Sequence, residues 1–211
     1  MTTTSLRLVA HAHTGALRRA VFGAGDDDLD EGGRRAALAL TAGPDRRGPL
    51  GTVDVCLTSP ASAAVQTAYA IGLHPTVDAA LADCDYAGWA GQSLADVGAR
   101  EPEALRQWQD VPEAAPHGGE SLAALRDRVG GWLDTRLAPG VRVAAVTHPM
   151  VIRVAIGHAL RLPMAALPRL DVAPLAVVRL SRYGSRWQLQ FTAPQVGSGP
   201  ADRMPGAPDH G

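Results

Sequence analysis

The 211-residue chain contains no lysine and no asparagine. These absences exclude a Walker A lysine, a Schiff-base lysine and any asparagine ligand to Mg²⁺. All 20 Lys-or-Arg positions are therefore arginine, a bias that GC-rich coding accounts for. The only cysteines, Cys56 and Cys84, are too few for a disulfide scaffold or a four-cysteine zinc site. No basic run exceeds two residues and the formal net charge is −1, which disfavours a general nucleic-acid binder. No apolar run reaches the ~18 residues needed to span a membrane. The start, Met1 to Ser5, is uncharged, and the apolar stretch Leu6–Ala10 is shorter than the roughly 7–15 residues of a signal-peptide core. A soluble cytoplasmic protein is the default expectation.

What is present reads as globular. Hydrophobic residues make up 46% and charged residues 19%, and the length suits one domain, at most two. Strands are expected at Leu6–Ala10, Val53–Thr58, Val141–Val146, Leu175–Leu180 and Trp187–Phe191. Helices are expected at Arg34–Leu40 with Asp30 as N-cap, at Ser62–Ile71 ending near Gly72, across Ser93–Trp108 interrupted by Pro102, at Ser121–Leu137, and at Val151–Leu160. Leu81–Gly91 reads as irregular, and Thr41–Gly51 and Pro112–Gly119 as loops. This alternation predicts an α/β fold, a three-layer α/β/α sandwich with a mainly parallel central sheet. Residues 1–192 form the expected domain. Residues 193–211, rich in Pro, Gly and Asp, are expected to be a disordered or loosely attached tail.

In an open α/β sheet, ligands bind beyond the carboxyl ends of the strands. His11 follows the first predicted strand and His148 the third, with His13 two residues beyond His11. Most other eye-catching residues have structural readings. Trp89, Trp108, Trp132 and Trp187 suit the core, Asp26–Asp28 a solvated acidic loop, Cys56 a buried inert thiol, and Arg153 a packing or ion-pair role. His117 reads as a solvated loop residue or as a neighbour of the same pocket.

Six fragments, in order, carry a resemblance. They are Leu8-Val9-Ala10-His11-Ala12-His13-Thr14, Leu29-Asp30-Glu31-Gly32-Gly33, Ser59-Pro60 through Gln66-Thr67-Ala68, Asp83-Cys84-Asp85-Tyr86-Ala87-Gly88-Trp89-Ala90-Gly91, Gly118-Gly119-Glu120-Ser121, and Val146-Thr147-His148-Pro149-Met150-Val151-Ile152-Arg153. Together they cover about residues 6–192, and the chain resembles the histidine phosphatase superfamily, also called phosphoglycerate-mutase-like. The resemblance implies His11 as a nucleophile that becomes a phosphohistidine, His148 as the second pocket histidine, and Asp83 as the acid that protonates the leaving oxygen. His13, Thr14, Arg18 and Glu120 fall at implied substrate-binding positions, and the implied partner is a small-molecule ligand.

The departures matter as much. The family's two phosphate-binding arginines align with Ala10 and Ala63, and its glutamate aligns with the shorter Asp83. Arg18 and Arg19, near the pocket in sequence, are candidate substitutes. Three readings follow: a divergent phosphatase with weak or altered activity on a phosphorylated or anionic small molecule; a non-phosphatase enzyme or metal-binding protein using His11, His13 and His148, with Asp83, for Zn²⁺ or another divalent metal; and a catalytically silent pseudophosphatase. No cofactor is firmly expected, no nucleic-acid or membrane partner is expected, and nothing in the sequence fixes an oligomeric state.

Overall fold

The computed structural model describes residues 2–23, 27–41 and 50–191. Six strands form one mixed sheet in the order β3-β2-β4-β1-β5-β6. The strands are β1 (Thr4–Ala10), β2 (Val55–Thr58), β3 (Thr76–Val77), β4 (Arg142–Thr147), β5 (Val177–Tyr183) and β6 (Arg186–Gln190). β3, β2, β4 and β1 run parallel, whereas β5 is antiparallel to β1 and to β6. The helices are α1 (Gly15–Arg18), α2 (Glu31–Ala39), α3 (Ser62–Ala70), α4 (Leu94–Arg100), α5 (Pro102–Asp110), α6 (Leu122–Thr135) and α7 (Pro149–Leu160).

The central strands are apolar on both faces, which is why layers form on both. Along β1, Leu6, Leu8 and Ala10 join one buried cluster with α6 and α7, while Val9 points to a second. Along β4, Val143 and Ala145 face the first cluster, and Ala144 and Val146 the second. The second layer is lined by small residues of α3 and its entry, Ala61, Ala64 and Ala68, so the helix packs close to the sheet. Each fully buried Leu or Val contributes about 1.5–3 kcal/mol. All four tryptophans are buried, in line with the core role expected for them.

The sequence reading and the structure differ in specific places. β3 has only two residues on the sheet edge, too few for an alternating pattern to register. The stretch expected as one interrupted helix is two, because Pro102 occupies the first turn of α5 and cannot continue α4. α2 begins at Glu31, since the Asp30 carboxylate accepts from Gly33 N at 2.6 Å and caps it there. The four-residue α1 ends at Arg18, with Arg19 as its C-cap. Asp27 and Asp28 are not simply solvated: Asp27 accepts from Ala16 N (2.8 Å), and Asp28 accepts from Ser62 Oγ (2.7 Å) and Gln66 Nε2 (2.5 Å). Cys56 is half-buried rather than buried. The tail expectation for residues 193–211 lies outside the described residues, as does most of the loop expected at Thr41–Gly51.

The start of α2 presses against the segment that carries the first histidines. Asp30 N donates to the His13 carbonyl (3.1 Å), and a Cβ on Gly33 would sit 2.3 Å from that oxygen. Backbone cannot yield there as a flexible side chain can. Gly33→Ala is therefore expected to destabilise the fold by about 1–3 kcal/mol, the usual cost of overpacking, measured as a lower urea midpoint at unchanged slope. An unaltered midpoint would show that α2 does not bear on His13.

Candidate functional site

The parallel register assembles the site. β4 lies between β2 and β1, and Ala10 pairs with Thr147 while Thr58 pairs with Val146. The residues that follow these pairs, Ser59, His148 and His11, emerge side by side at the carboxyl ends of three neighbouring strands. His11 N donates to Thr147 O (2.9 Å) and Ser59 N to Val146 O (2.9 Å), so the ladder continues into the site itself.

His11 and His148 are both buried, with ring centroids 5.1 Å apart and planes at 71°. The His11 Nδ1–H donates to the Ala12 carbonyl at 2.8 Å. That bond fixes the tautomer and leaves the lone pair on Nε2, the form a nucleophile needs. Burial, then the neighbouring His148, lowers the His11 pKa from its ordinary value, so the ring stays neutral at neutral pH. His148 Nε2 shares a 2.8 Å hydrogen bond with Ser59 Oγ, and its Nδ1 lies 3.7 Å from Asp83 Oδ2. Burial, helped by the Arg128 charge, lowers the His148 pKa to about 4. As N-cap of α7 it makes no side-chain capping bond; its ring turns to Ser59 instead.

Asp83 completes the group. Its side chain keeps 25% exposure but lies deep enough that desolvation raises its pKa to about 6, against smaller lowering effects from Cys84 N–H, His11 and Arg128. The Asp83 loop is held by Arg128, which donates to the carbonyls of Ala80 (3.0 Å), Ala82 (3.1 Å) and Asp83 (3.1 Å). Thr147 Oγ1 adds a 2.6 Å bond to Leu81 O. Arg128 also forms a two-pronged pair with Glu120, at 2.8 and 2.7 Å.

The other sequence candidates stand as follows. The Glu120 carboxylate faces Arg128, which makes it part of the frame under Asp83. Gly119 before it leaves no room for a Cβ, which would lie 2.1 Å from Asp85 O. The Thr14 hydroxyl caps α1 by accepting from Leu17 N (3.0 Å). Arg18 is half-exposed and pairs with Asp30, Nε to Oδ2 at 2.6 Å. The Arg19 guanidinium lies beside Gly15, 3.4 Å from where a Cβ would stand. His13 is near enough to weigh on His11 protonation, and its Nδ1 is buried with no hydrogen-bond partner among the described residues. The three-histidine metal set is not assembled: among the described residues, no group of three or more His, Cys, Asp or Glu is placed to hold a metal ion. His117 is not solvated. It is buried against Trp89 (4.9 Å between rings), and its Nδ1 accepts from Gly119 N at 3.0 Å. Arg153 donates Nε–H to Leu170 O at 2.7 Å, a packing role as expected.

Two contributors escaped the sequence reading. Ser59 stood out only as a strand stop and a motif letter, and its bond to His148 spans 89 residues. Arg128 lies on α6 with no local signal; it is tied to the site by Glu120, eight residues back, and by the distant carbonyls of Ala80, Ala82 and Asp83.

A profile of the histidine phosphatase superfamily (branch 1) matches residues 6–193. A bifunctional protein of Mycobacterium tuberculosis is 31% identical over 193 residues, covering 87% of this chain and 52% of that protein. The chain thus spans about half the length of this relative and of its counterparts. A glucosyl-3-phosphoglycerate phosphatase of Mycobacterium tuberculosis is 30% identical over 155 residues, 69% of this chain and 70% of that protein. The solved structure of a mycobacterial glucosyl-3-phosphoglycerate phosphatase in complex with VO3 superposes with a TM-score of 0.71 at 28% identity, covering 88% of this chain and 96% of the other. A putative alpha-ribazole-5'-P phosphatase from Escherichia coli gives a TM-score of 0.74 over 89% of this chain and 94% of the other, at 20% identity, a likeness of fold alone.

The two buried groups at the centre bear on stability with opposite signs. His148 binds its proton in the unfolded chain near pH 6.5 but in the fold only near pH 4, so its contribution is lost as pH falls through that window. Asp83 holds its proton up to about pH 6 in the fold, so its contribution is lost as pH rises from about 4 to 6. Denaturation across pH 4–8 is expected to show Asp83→Asn gaining stability relative to the unsubstituted chain at pH 7.5 but not at pH 4. The opposite order would contradict the desolvation of Asp83.

Proposed function

The chain belongs to the histidine phosphatase superfamily (branch 1), and on that premise we propose that it is a divergent phosphohydrolase acting through His11 on a small phosphorylated molecule. The observation that carries this reading is the state of His11: buried, neutral, and held by the Ala12 carbonyl with Nε2 left to react. In the proposed reaction, the Nε2 lone pair attacks phosphorus and the bond to the leaving oxygen breaks. The Asp83 carboxylic acid gives its proton to that oxygen. Water then attacks the phosphohistidine, its proton passes to the Asp83 carboxylate, and inorganic phosphate leaves. His148, held by Ser59, is a neutral ring rather than a cation.

Charge stabilisation is where the chain departs from the family pattern. Ala10 and Ala63, at 0% and 1% exposure, stand where the resemblance places arginines. Arg128 and Arg18 are tied to Glu120 and Asp30. A preorganised donor contributes roughly 10²–10³ in rate, so slow turnover of ordinary phosphate monoesters is expected. The same two alanines favour a second reading, a family member that binds its ligand without turning it over.

Rapid-quench trapping of phosphohistidine from p-nitrophenyl phosphate tests the first reading. Phosphoenzyme formation should be absent in His11→Ala. It should also slow above about pH 6 as Asp83 loses its proton, a limb that Asp83→Asn abolishes. A folded chain that never forms a phosphoenzyme would leave the binding-only reading.

Ala10→Arg with Ala63→Arg is expected to raise kcat/KM for p-nitrophenyl phosphate by at least about tenfold, a modest part of what one such donor supplies. The gain should vanish when His11→Ala is added. Brisk hydrolysis by the unsubstituted chain would overturn the claim of a weakened pocket.

A further inference from the structure

A cavity of about 860 Å³ opens between the end of α5, the start of α6, α7 and the turn at Met164–Arg169. Its apolar wall comes from Trp108, Leu122, Met150, Met164 and Leu167. The volume falls within the roughly 300–1,000 Å³ of small-molecule sites, and thioether side chains adapt to varied apolar shapes. None of His11, His148 or Asp83 lines it, although Met150 stands only two residues beyond His148.

Charge in this cavity is unevenly placed. Arg126 and Arg153 are half-buried in its wall, whereas Asp110 and Glu113 are exposed at its rim. Solvent and salt screen the exposed carboxylates more than the half-buried guanidinium groups. Arg153 donates Nε–H to Leu170 O and has no carboxylate within ion-pair distance among the described residues. Among the described residues, Arg126 has only a loose 3.7 Å approach to Asp127. An apolar wall with two under-partnered cations complements an apolar body that ends in one negative charge.

We propose that this cavity is a binding site for an amphiphilic organic monoanion, a carboxylate or sulfonate on an apolar body, separate from the phosphoryl site. Trp108 couples the cavity to the Asp83 loop: its ring packs against Tyr86 (6.0 Å) and Trp89 (6.0 Å). Occupancy is thus reported by tryptophan emission without any turnover.

The full chain is titrated with 8-anilinonaphthalene-1-sulfonate, following dye emission and tryptophan quenching. One dye per chain is expected. Arg153→Met should weaken it by about tenfold, the usual loss of a charge-assisted hydrogen bond. Ala165→Trp, at an exposed wall position, should block binding while leaving circular dichroism and melting unchanged. Decanoate should displace the dye at least about tenfold better than decanol, since only the carboxylate engages the arginines. His11→Ala should bind as the unsubstituted chain does, which separates this site from the proposed chemistry. No saturable binding, binding indifferent to both Arg153→Met and Ala165→Trp, or equal displacement by decanoate and decanol would each overturn the proposal.

Discussion

Strand β4 is hydrogen-bonded in parallel to β1 on one side and to β2 on the other, and that register is the constraint on which the site depends. Side chains alternate with a period of two, so a slip of one residue would turn Val143 and Ala145 away from the α6–α7 layer. It would equally part His148 from His11 and Ser59. Burial of the apolar faces and alignment of the polar strand ends are therefore one requirement. The core holds the register, and the register brings together three residues that the chain separates by up to 137 positions.

Around that centre, desolvation and framing divide the labour. Burial keeps His11 and His148 neutral and makes Asp83 reluctant to ionise. An isolated carboxylate and two imidazoles in such a place need rigid support, because a small displacement would admit water and relax every shift. Arg128 supplies much of it by bonding the carbonyls of Ala80, Ala82 and Asp83 and the Glu120 carboxylate at once. A half-buried pair of this kind adds less to net stability than its geometry suggests, since desolvating both charges offsets their attraction. Its evident effect is to hold the Asp83 loop in place.

Much was legible beforehand because it rests on local rules. The apolar runs at Leu6–Ala10 and Val141–Val146 could only be buried strands, and His11 and His148 end them. Asp30 and Ser121 announced helix starts and cap them. The resemblance carried by Gly118-Gly119-Glu120-Ser121 implies a helix after it, and α6 follows; that the Glu120 carboxylate meets Arg128 has no such sign. Likewise His117 reads from sequence as a solvated loop residue or a neighbour of the pocket, and it is buried among aromatic rings from α5 and the Asp83 loop. Neither outcome has a local signature: both depend on which distant segment packs above.

By itself the sequence determined the types of the main elements, the layer order that two-faced apolar strands impose, and the identity of the residues at the strand ends. It also settled what cannot be present, since a chain without lysine or asparagine has no lysine nucleophile and no asparagine ligand. Only the tertiary structure decided which polar groups are partnered. It gave Arg18 to Asp30 and Arg128 to Glu120, bound His11 Nδ1 to the Ala12 carbonyl, and kept the three histidines from forming a metal set among the described residues. The physical reason is that hydrogen bonding and desolvation depend on distances of a few ångströms between segments far apart in the chain, and residue order alone does not carry those distances.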